Sequence, residues 1–124
     1  MEKLNLESTK STPKVIGDNI QGTLIITGNC FPENSLSFFN DINSWIDLLP
    51  KDLKFFNLEC ELNYIASSSI IHILKIMQKI ETLFPIENIS IKWKYEIDDE
   101  DIQKLGEEFD KLTKSSMELI SVEV

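Results

Sequence analysis

The chain has 124 residues, with 12 basic and 21 acidic side chains and a formal net charge of −9. That length suits one domain with a true core, because a chain of this size buries roughly two thirds of its unfolded surface. The charge argues against a nucleic-acid footprint, which needs clustered Lys and Arg, and against docking on anionic lipid. Hydrophobic residues make up 42% and charged residues 27%, which is the balance of a folded domain and not of a disordered chain.

Met1 to Glu7 carry no apolar run and no small-residue cleavage site, so no secretory signal is expected. No window approaches the ~18 apolar residues of a membrane span. The expected location is the cytoplasm. Residues 1–13 are polar and end at Pro13, which reads as a tail or edge segment of a single domain over 1–124. Residues 14–19 and 22–27 read as two strands of a hairpin. The connection Asp18-Asn19-Ile20-Gln21-Gly22 places a glycine at the tight position. Gly28 and Pro32 are expected to break the second strand.

Residues 34–49 predict a helix, with Leu36, Phe39, Ile42, Trp45, Ile46 and Leu49 at three- and four-residue steps. Glu33 or Asn34 can cap its start, and Pro50 closes it. Residues 53–64 predict the longest strand. Phe56, Leu58, Cys60, Leu62 and Tyr64 share one face, and Asn57, Glu59, Glu61 and Asn63 the other. A second helix follows over 68–84. Its buried stripe is Ile70, Ile73, Leu74, Met77, Ile80 and Phe84, widened by Ile71 and Ile76, and its wet stripe is Ser68, His72, Lys75, Lys79 and Thr82. A strand over 89–95 turns Ile89, Ile91, Trp93 and Tyr95 inward. A third helix over 98–112 opens on Asp98, Asp99, Glu100 and Asp101, carboxylates that suit the positive end of its dipole. Residues 117–124 form the last strand.

The order is therefore β-β-α-β-α-β-α-β. Alternating strands and helices imply right-handed crossovers and mainly parallel pairing. Each strand keeps one wet face, unlike strands of a sheet covered on both sides. The fold class expected is α/β, with a single mixed sheet and three helices mainly on one face.

Little in the chain points to metal or cofactor chemistry. Cys30, Cys60 and His72 are too few for a structural zinc site, and the cysteines read as reduced core thiols. The acidic run lacks the spacing and glycine of a calcium loop, and no glycine-rich phosphate-binding pattern is present. No metal, cofactor or catalytic residue is expected.

The most informative stretch is Tyr64-Ile65-Ala66-Ser67-Ser68-Ser69, where the long strand gives way to the second helix. Sites gather at the carboxyl ends of strands in open α/β sheets. One reading makes a serine the N-cap of the helix. The other makes it a phosphoacceptor, whose phosphate would meet free amides and the helix dipole. Ser68 and His72 lie four apart on one helix face. They suggest a nucleophile–base pair, and so a small hydrolase or ligand-binding domain, but lack a third orienting group. A solvated histidine, or one that helps dock a partner, is the preferred reading.

The chain resembles the SiaC family of bacterial regulatory phosphoproteins, whose fold is similar to the STAS domains of anti-sigma-factor antagonists. The resemblance runs from about Leu4 to the C-terminus. It is carried by Thr9-Lys10-Ser11-Thr12-Pro13, Phe31-Pro32-Glu33-Asn34-Ser35, Tyr64-Ile65-Ala66-Ser67-Ser68-Ser69, Trp93-Lys94-Tyr95 with Asp98-Asp99-Glu100-Asp101, and Gly106-Glu107-Glu108-Phe109. The phosphorylated Thr of the family pattern falls on Ser67, with Ser68 the runner-up acceptor. The family's preceding Asn falls on Ala66. The resemblance implies a STAS-like fold and a non-enzymatic partner switch. A cognate protein kinase phosphorylates such a protein, and a metal-dependent serine/threonine phosphatase reverses this. The unphosphorylated form binds and activates a diguanylate cyclase or other effector, raising cyclic di-GMP and favouring biofilm. Tyr64, Ala66, Ser68, Ser69 and His72 are the partner-binding residues implied beside Ser67.

Overall fold

The computed structural model describes residues 3–123. The elements in chain order are β1 (Leu4–Leu6), β2 (Lys14–Asp18), β3 (Thr23–Cys30), α1 (Ser35–Asp47), β4 (Phe56–Ile65), α2 (Ser67–Leu83), a 3₁₀ turn (Ile86–Asn88), β5 (Ile89–Glu96), α3 (Glu100–Leu112) and β6 (Ser116–Val122). All six strands join one sheet, and their order across it is their order along the chain. The first three pair antiparallel, and β3 through β6 pair parallel.

This order explains why one face is covered. The three helical crossovers all step the same way along the sheet. Right-handed crossovers stepping one way pass over the same face, so α1, α2 and α3 share it. Under them lie Leu24, Ile26, Leu58, Cys60, Ile91 and Trp93, all essentially without exposure. Each such side chain contributes roughly 1.5–3 kcal/mol by leaving water. On the open face, Glu59 pairs in register with Lys92 and Lys92 with Glu118, while Glu61 pairs with Lys94. Lys94 also reaches diagonally to Glu59 at 3.4 Å. Such half-exposed pairs add only about 0.2–1 kcal/mol each, but opposite charges alternate across the rows.

The hairpin turn forms as its sequence predicts. Asp18 Oδ1 accepts the amides of Ile20 and Gln21 at 2.9 and 3.0 Å, and its carbonyl accepts Gly22 N–H at 2.9 Å. Gly22 sits at φ 73°, and a Cβ there would lie 2.4 Å from the Phe55 carbonyl oxygen, so only glycine fits. The amides of Gln21 and Ile20, with Lys3 at 3.4 Å, hold the Asp18 carboxyl below its ordinary value.

The third helix is keyed to the sheet by Trp93. The indole is fully buried and its Nε1 donates to the Ile102 carbonyl at 2.9 Å. Phe109 meets it edge-on, with centroids 5.2 Å apart. Gly106 lies directly over the ring, where an added Cβ would be 2.3 Å from Trp93 Cδ1. At the far end of α2, the Glu81 carboxylate accepts both amides of Lys114 and Ser115 and the Ser115 hydroxyl, at 2.6 to 2.8 Å, clasping the turn into β6.

Several boundaries differ from the sequence expectation. Residues 4–6 of the expected tail or edge segment form an edge strand, so the sheet has six strands and not five. Met1 and Glu2 at one end, and Val124 of the expected last strand, lie outside the described residues. The second hairpin strand runs on through Gly28 to Cys30, because Gly28 takes φ 117° and stays paired with Leu62. The long strand starts at Phe56 and α3 at Glu100, capped by Asp99 Oδ1 accepting Ile102 N–H at 3.1 Å. Asn34, one of the two expected caps, does cap α1 by accepting Ser37 N–H at 3.0 Å. Leu36 and Ile71, expected in buried stripes, are 63% and 48% exposed. Leu36 lies in the first turn of α1, and Ile71 lies on the outward face of α2 with the exposed Ser67, Ser68, Lys75 and Gln78.

Two outcomes test this packing. Alanine normally stabilises a helix interior by about 1 kcal/mol over glycine. At Gly106 the clash with Trp93 reverses the sign, and Gly106→Ala is expected to lower stability by about 1–3 kcal/mol in urea unfolding. The second concerns pH. A carboxyl held below its ordinary value stabilises the fold above that value, and the gain is lost as pH falls through its lowered one. Asp18→Asn keeps the oxygen acceptor and removes the charge. The wild type should be the more stable at neutral pH, and the gap should close well below 3.8, the ordinary value.

Candidate functional site

The junction between β4 and α2 is shaped by one extra residue. Gly28 pairs with Leu62, but the next residue, Asn29, pairs with Tyr64. Asn63 is therefore a bulge in β4. Alternation predicts Tyr64 on the inward face with Leu62. The bulge shifts the phase by one, so Tyr64 turns out of the core at 55% exposure and Ile65 turns in beside Cys30.

The end of β3 then fixes the start of α2. The Cys30 carbonyl accepts Ala66 N–H at 2.9 Å. Ala66 is the N-cap, with φ −74° and ψ 151°, and it has no side-chain acceptor. This corrects the reading of a serine as cap. Ser67 is already the first residue of the helix. The amides of Ser67 and Ser68 precede the first intrahelical bond and are left uncapped, while Ser69 N–H turns back to the Ala66 carbonyl at 2.9 Å.

The three serines thus have different surroundings. Ser67 and Ser68 are exposed, and Ser69 is fully buried. Ser69 Oγ lacks a full hydrogen bond and lies against the Cys30 thiol, a weak partner. Burial pushes the Cys30 thiol up, with the Ser69 hydroxyl pulling partly back. Cys60, deeper still, is pushed up to about 12 by burial and then by its neighbours Cys30 and Glu59. Both cysteines are free. They are packing groups and not nucleophiles.

Large apolar side chains are exposed at this end of the sheet, Phe31, Leu36, Tyr64 and Ile71 among them. Tyr64 meets Phe31 edge-on, with centroids 5.6 Å apart. Phe31 is placed from two sides. Its amide donates to the Ser11 carbonyl at 2.7 Å, and Ser11 belongs to a knot in which Thr9 Oγ1 accepts the amides of Ser11 and Thr12. Ile71 follows Ser67 by one turn and is therefore on its face of the helix. Leu36 opens α1 at the same end of the sheet. Phe31, Leu36 and Ile71 are functional candidates that the sequence left out. Only Phe31 was signalled, by its place in a family motif.

His72 is half-buried and stacks on Phe39 of α1, centroids 4.9 Å apart and planes 11° from parallel. Among the described residues no hydrogen bond joins it to Ser68, and no third group orients it. Its geometry is that of a packing residue between α1 and α2 at the edge of the apolar face. Also among the described residues, no cluster of three His, Cys, Asp or Glu side chains is arranged to hold a metal, and no helix is long and apolar enough to cross a membrane.

Known proteins share this fold. The family model for SiaC family regulatory phosphoproteins matches residues 6–122. An uncharacterized protein of Pseudomonas aeruginosa (strain UCBPP-PA14) is 31% identical over 111 residues, covering 88% of each chain. The crystal structure of apo-SiaC from Pseudomonas aeruginosa superposes with a TM-score of 0.86 at 28% identity, over 98% of this chain and 100% of that one. A structure of the diguanylate cyclase SiaD in complex with its activator SiaC, also from Pseudomonas aeruginosa, matches with a TM-score of 0.86 at 26% identity, over 96% and 99% of the two chains. The match of the family model to residues 6–122, with the shared six-stranded fold, places this chain in the SiaC family of regulatory phosphoproteins.

Proposed function

We propose that this protein is a non-enzymatic partner switch whose phosphoacceptor is Ser67. The observation that carries the reading is the exposed Ser67 hydroxyl on the first turn of an uncapped helix, at an end of the sheet that also exposes Phe31, Leu36, Tyr64 and Ile71. A phosphate there gains the free amides and the positive end of the helix dipole, so the modified form is sustainable. It also brings a charge of about −2 beside these exposed apolar side chains. An interface built for Phe31, Tyr64, Leu36 and Ile71 would have to strip water from that phosphate, and the complex would weaken.

A family member in complex with a diguanylate cyclase supports a cyclase as the effector. In this scheme the unphosphorylated form docks on and activates the cyclase, a cognate kinase adds the phosphate, and a metal-dependent phosphatase removes it. Tyr64, Ala66, Ser68, Ser69 and His72 are the residues implied in partner binding. Their different exposure supports different parts in this scheme. Tyr64 and Ser68 are surface contacts, Ala66 shapes the helix start, and Ser69 and His72 act from below the surface as supports.

The test is biochemical. Incubation with the cognate kinase and ATP should add one phosphate, which Ser67→Ala abolishes and Ser68→Ala does not. Pull-down of the cognate cyclase should succeed with wild type and Ser67→Ala and fail with Ser67→Asp. A phosphate mapping to Ser68 would move the acceptor by one residue and reject this assignment. Equal cyclase binding by the Ala and Asp forms would sink the switch itself.

A further inference from the structure

We propose that the groove between the starts of α2 and α3 is a second docking site, for a cationic segment of a partner protein anchored by two or three apolar side chains. The groove is a consequence of how the sheet ends. β4 and β5 stay in register only as far as Glu61 and Lys94. Beyond that point β4 continues to Ile65 against β3, and β5 continues to Glu96 against β6. The two central strands part, and α2 and α3 start on either side of the gap. The space left is about 450 Å³.

The floor and rim of this space differ in chemistry. Ile65, Ile70, Ile102 and Leu105 form an apolar floor. Asp101 and Glu108 stand on the rim, with Lys104 the single cation of the lining. A neighbouring acidic surface of Glu96, Asp98 and Glu100 continues the rim. Buried apolar area attracts hydrophobic side chains, and the surplus of carboxylates selects Lys or Arg beside them. The free end of β4 is only a few residues long, too short to pair with an added strand. Recognition therefore runs through side chains entering the groove and not through a backbone ladder.

The groove also differs from the face around Ser67 in its response to phosphate. It shares Tyr64 and Ile65 with the β4–α2 junction. A phosphate on Ser67 adds charge of the same sign as the rim, which favours a cationic occupant. The groove thus suits a partner that engages the phosphorylated form, as an enzyme removing that phosphate must, and not an effector the phosphate releases. This last assignment rests on the Ser67 reading, whereas the groove and its chemistry do not.

The test titrates the full-length protein with a short synthetic peptide of Leu and Lys, followed by amide NMR shifts. Saturable shifts should centre on Ile65, Ile70, Ile102 and Leu105. The double variant Asp101→Lys, Glu108→Lys should lose about tenfold in affinity. The variant Glu61→Lys, Glu118→Lys, altered on the open sheet face, should not. A peptide with Glu in place of Lys should fail to bind, and Ser67→Asp should bind the Lys peptide as well as wild type or better. Shifts centred on the open sheet face, equal affinity after charge reversal at the rim, or absence of saturable binding would overturn the groove as a docking site. Loss of binding in Ser67→Asp alone would leave the groove and reject its pairing with the phosphorylated form. The titration needs neither kinase nor cyclase, so its outcome is separate from that of the switch.

Discussion

The bulge at Asn63 is the constraint on which the functional end of the molecule depends. A parallel pair such as β3 and β4 would otherwise carry its alternation unbroken to the last residue. With Asn63 looped out, the phase changes, and two residues exchange sides within one strand end. Tyr64 moves from core to surface, and Ile65 from surface to core. Ile65 then seals the sheet beside Cys30, while the Cys30 carbonyl takes the Ala66 amide and sets where α2 begins. Without that extra residue, the helix would start from the wrong side of the strand and its first hydroxyl would face a different neighbour.

The site so built is unusual in what it leaves undone. Most helix starts satisfy an orphan amide with a side chain, and both α1 and α3 do so, through Asn34 and Asp99. The α2 start does not, because Ala66 has nothing to offer. A capping side chain contributes about 1 kcal/mol. Its omission at one helix out of three, beside an exposed hydroxyl, leaves amides for which an added oxyanion has no resident competitor. The same end of the sheet supplies two surfaces of opposite character. One exposes the apolar side chains of Phe31, Leu36 and Ile71. The other is bordered by the carboxylates that open α3. The net charge of −9 is therefore not spread evenly, and the contrast between the surfaces carries more information than the total.

Most of the architecture was legible in the sequence because it rests on period and punctuation. Phe56, Leu58, Cys60 and Leu62 alternate cleanly, and Ile73, Met77 and Ile80 keep a helical step, so those elements could be placed without neighbours. The family motifs also acquire physical reasons. Trp93, Gly106 and Phe109, which lie in the motifs that carry the resemblance, form one packing unit of a ring, a bare Cα and an edge-on phenyl. What was hidden depends on partners in space. Alternation cannot show a bulge, since the extra residue is defined only against Gly28 and Asn29 on another strand. Leu36 and Ile71 fit their stripes by spacing, yet Leu36 opens its helix outside the core and Ile71 falls on the outward face with Lys75 and Gln78. The identity of the cap was equally hidden, because three serines in a row outweigh an alanine by propensity and lose to the Cys30 carbonyl, which fixes the helix one residue early.

The identity between strand order and chain order has a consequence for how the molecule is made. In many α/β sheets a central strand waits for partners encoded far downstream. Here every strand after the first adds to an edge that has already left the ribosome, and each helix lies between the strand just made and the next one. Each parallel pairing closes over a single crossover, so no strand waits for a partner encoded beyond the next helix. The chain can condense in the direction of synthesis. One wall of the groove is α3, made after every strand but β6, so the groove takes shape late.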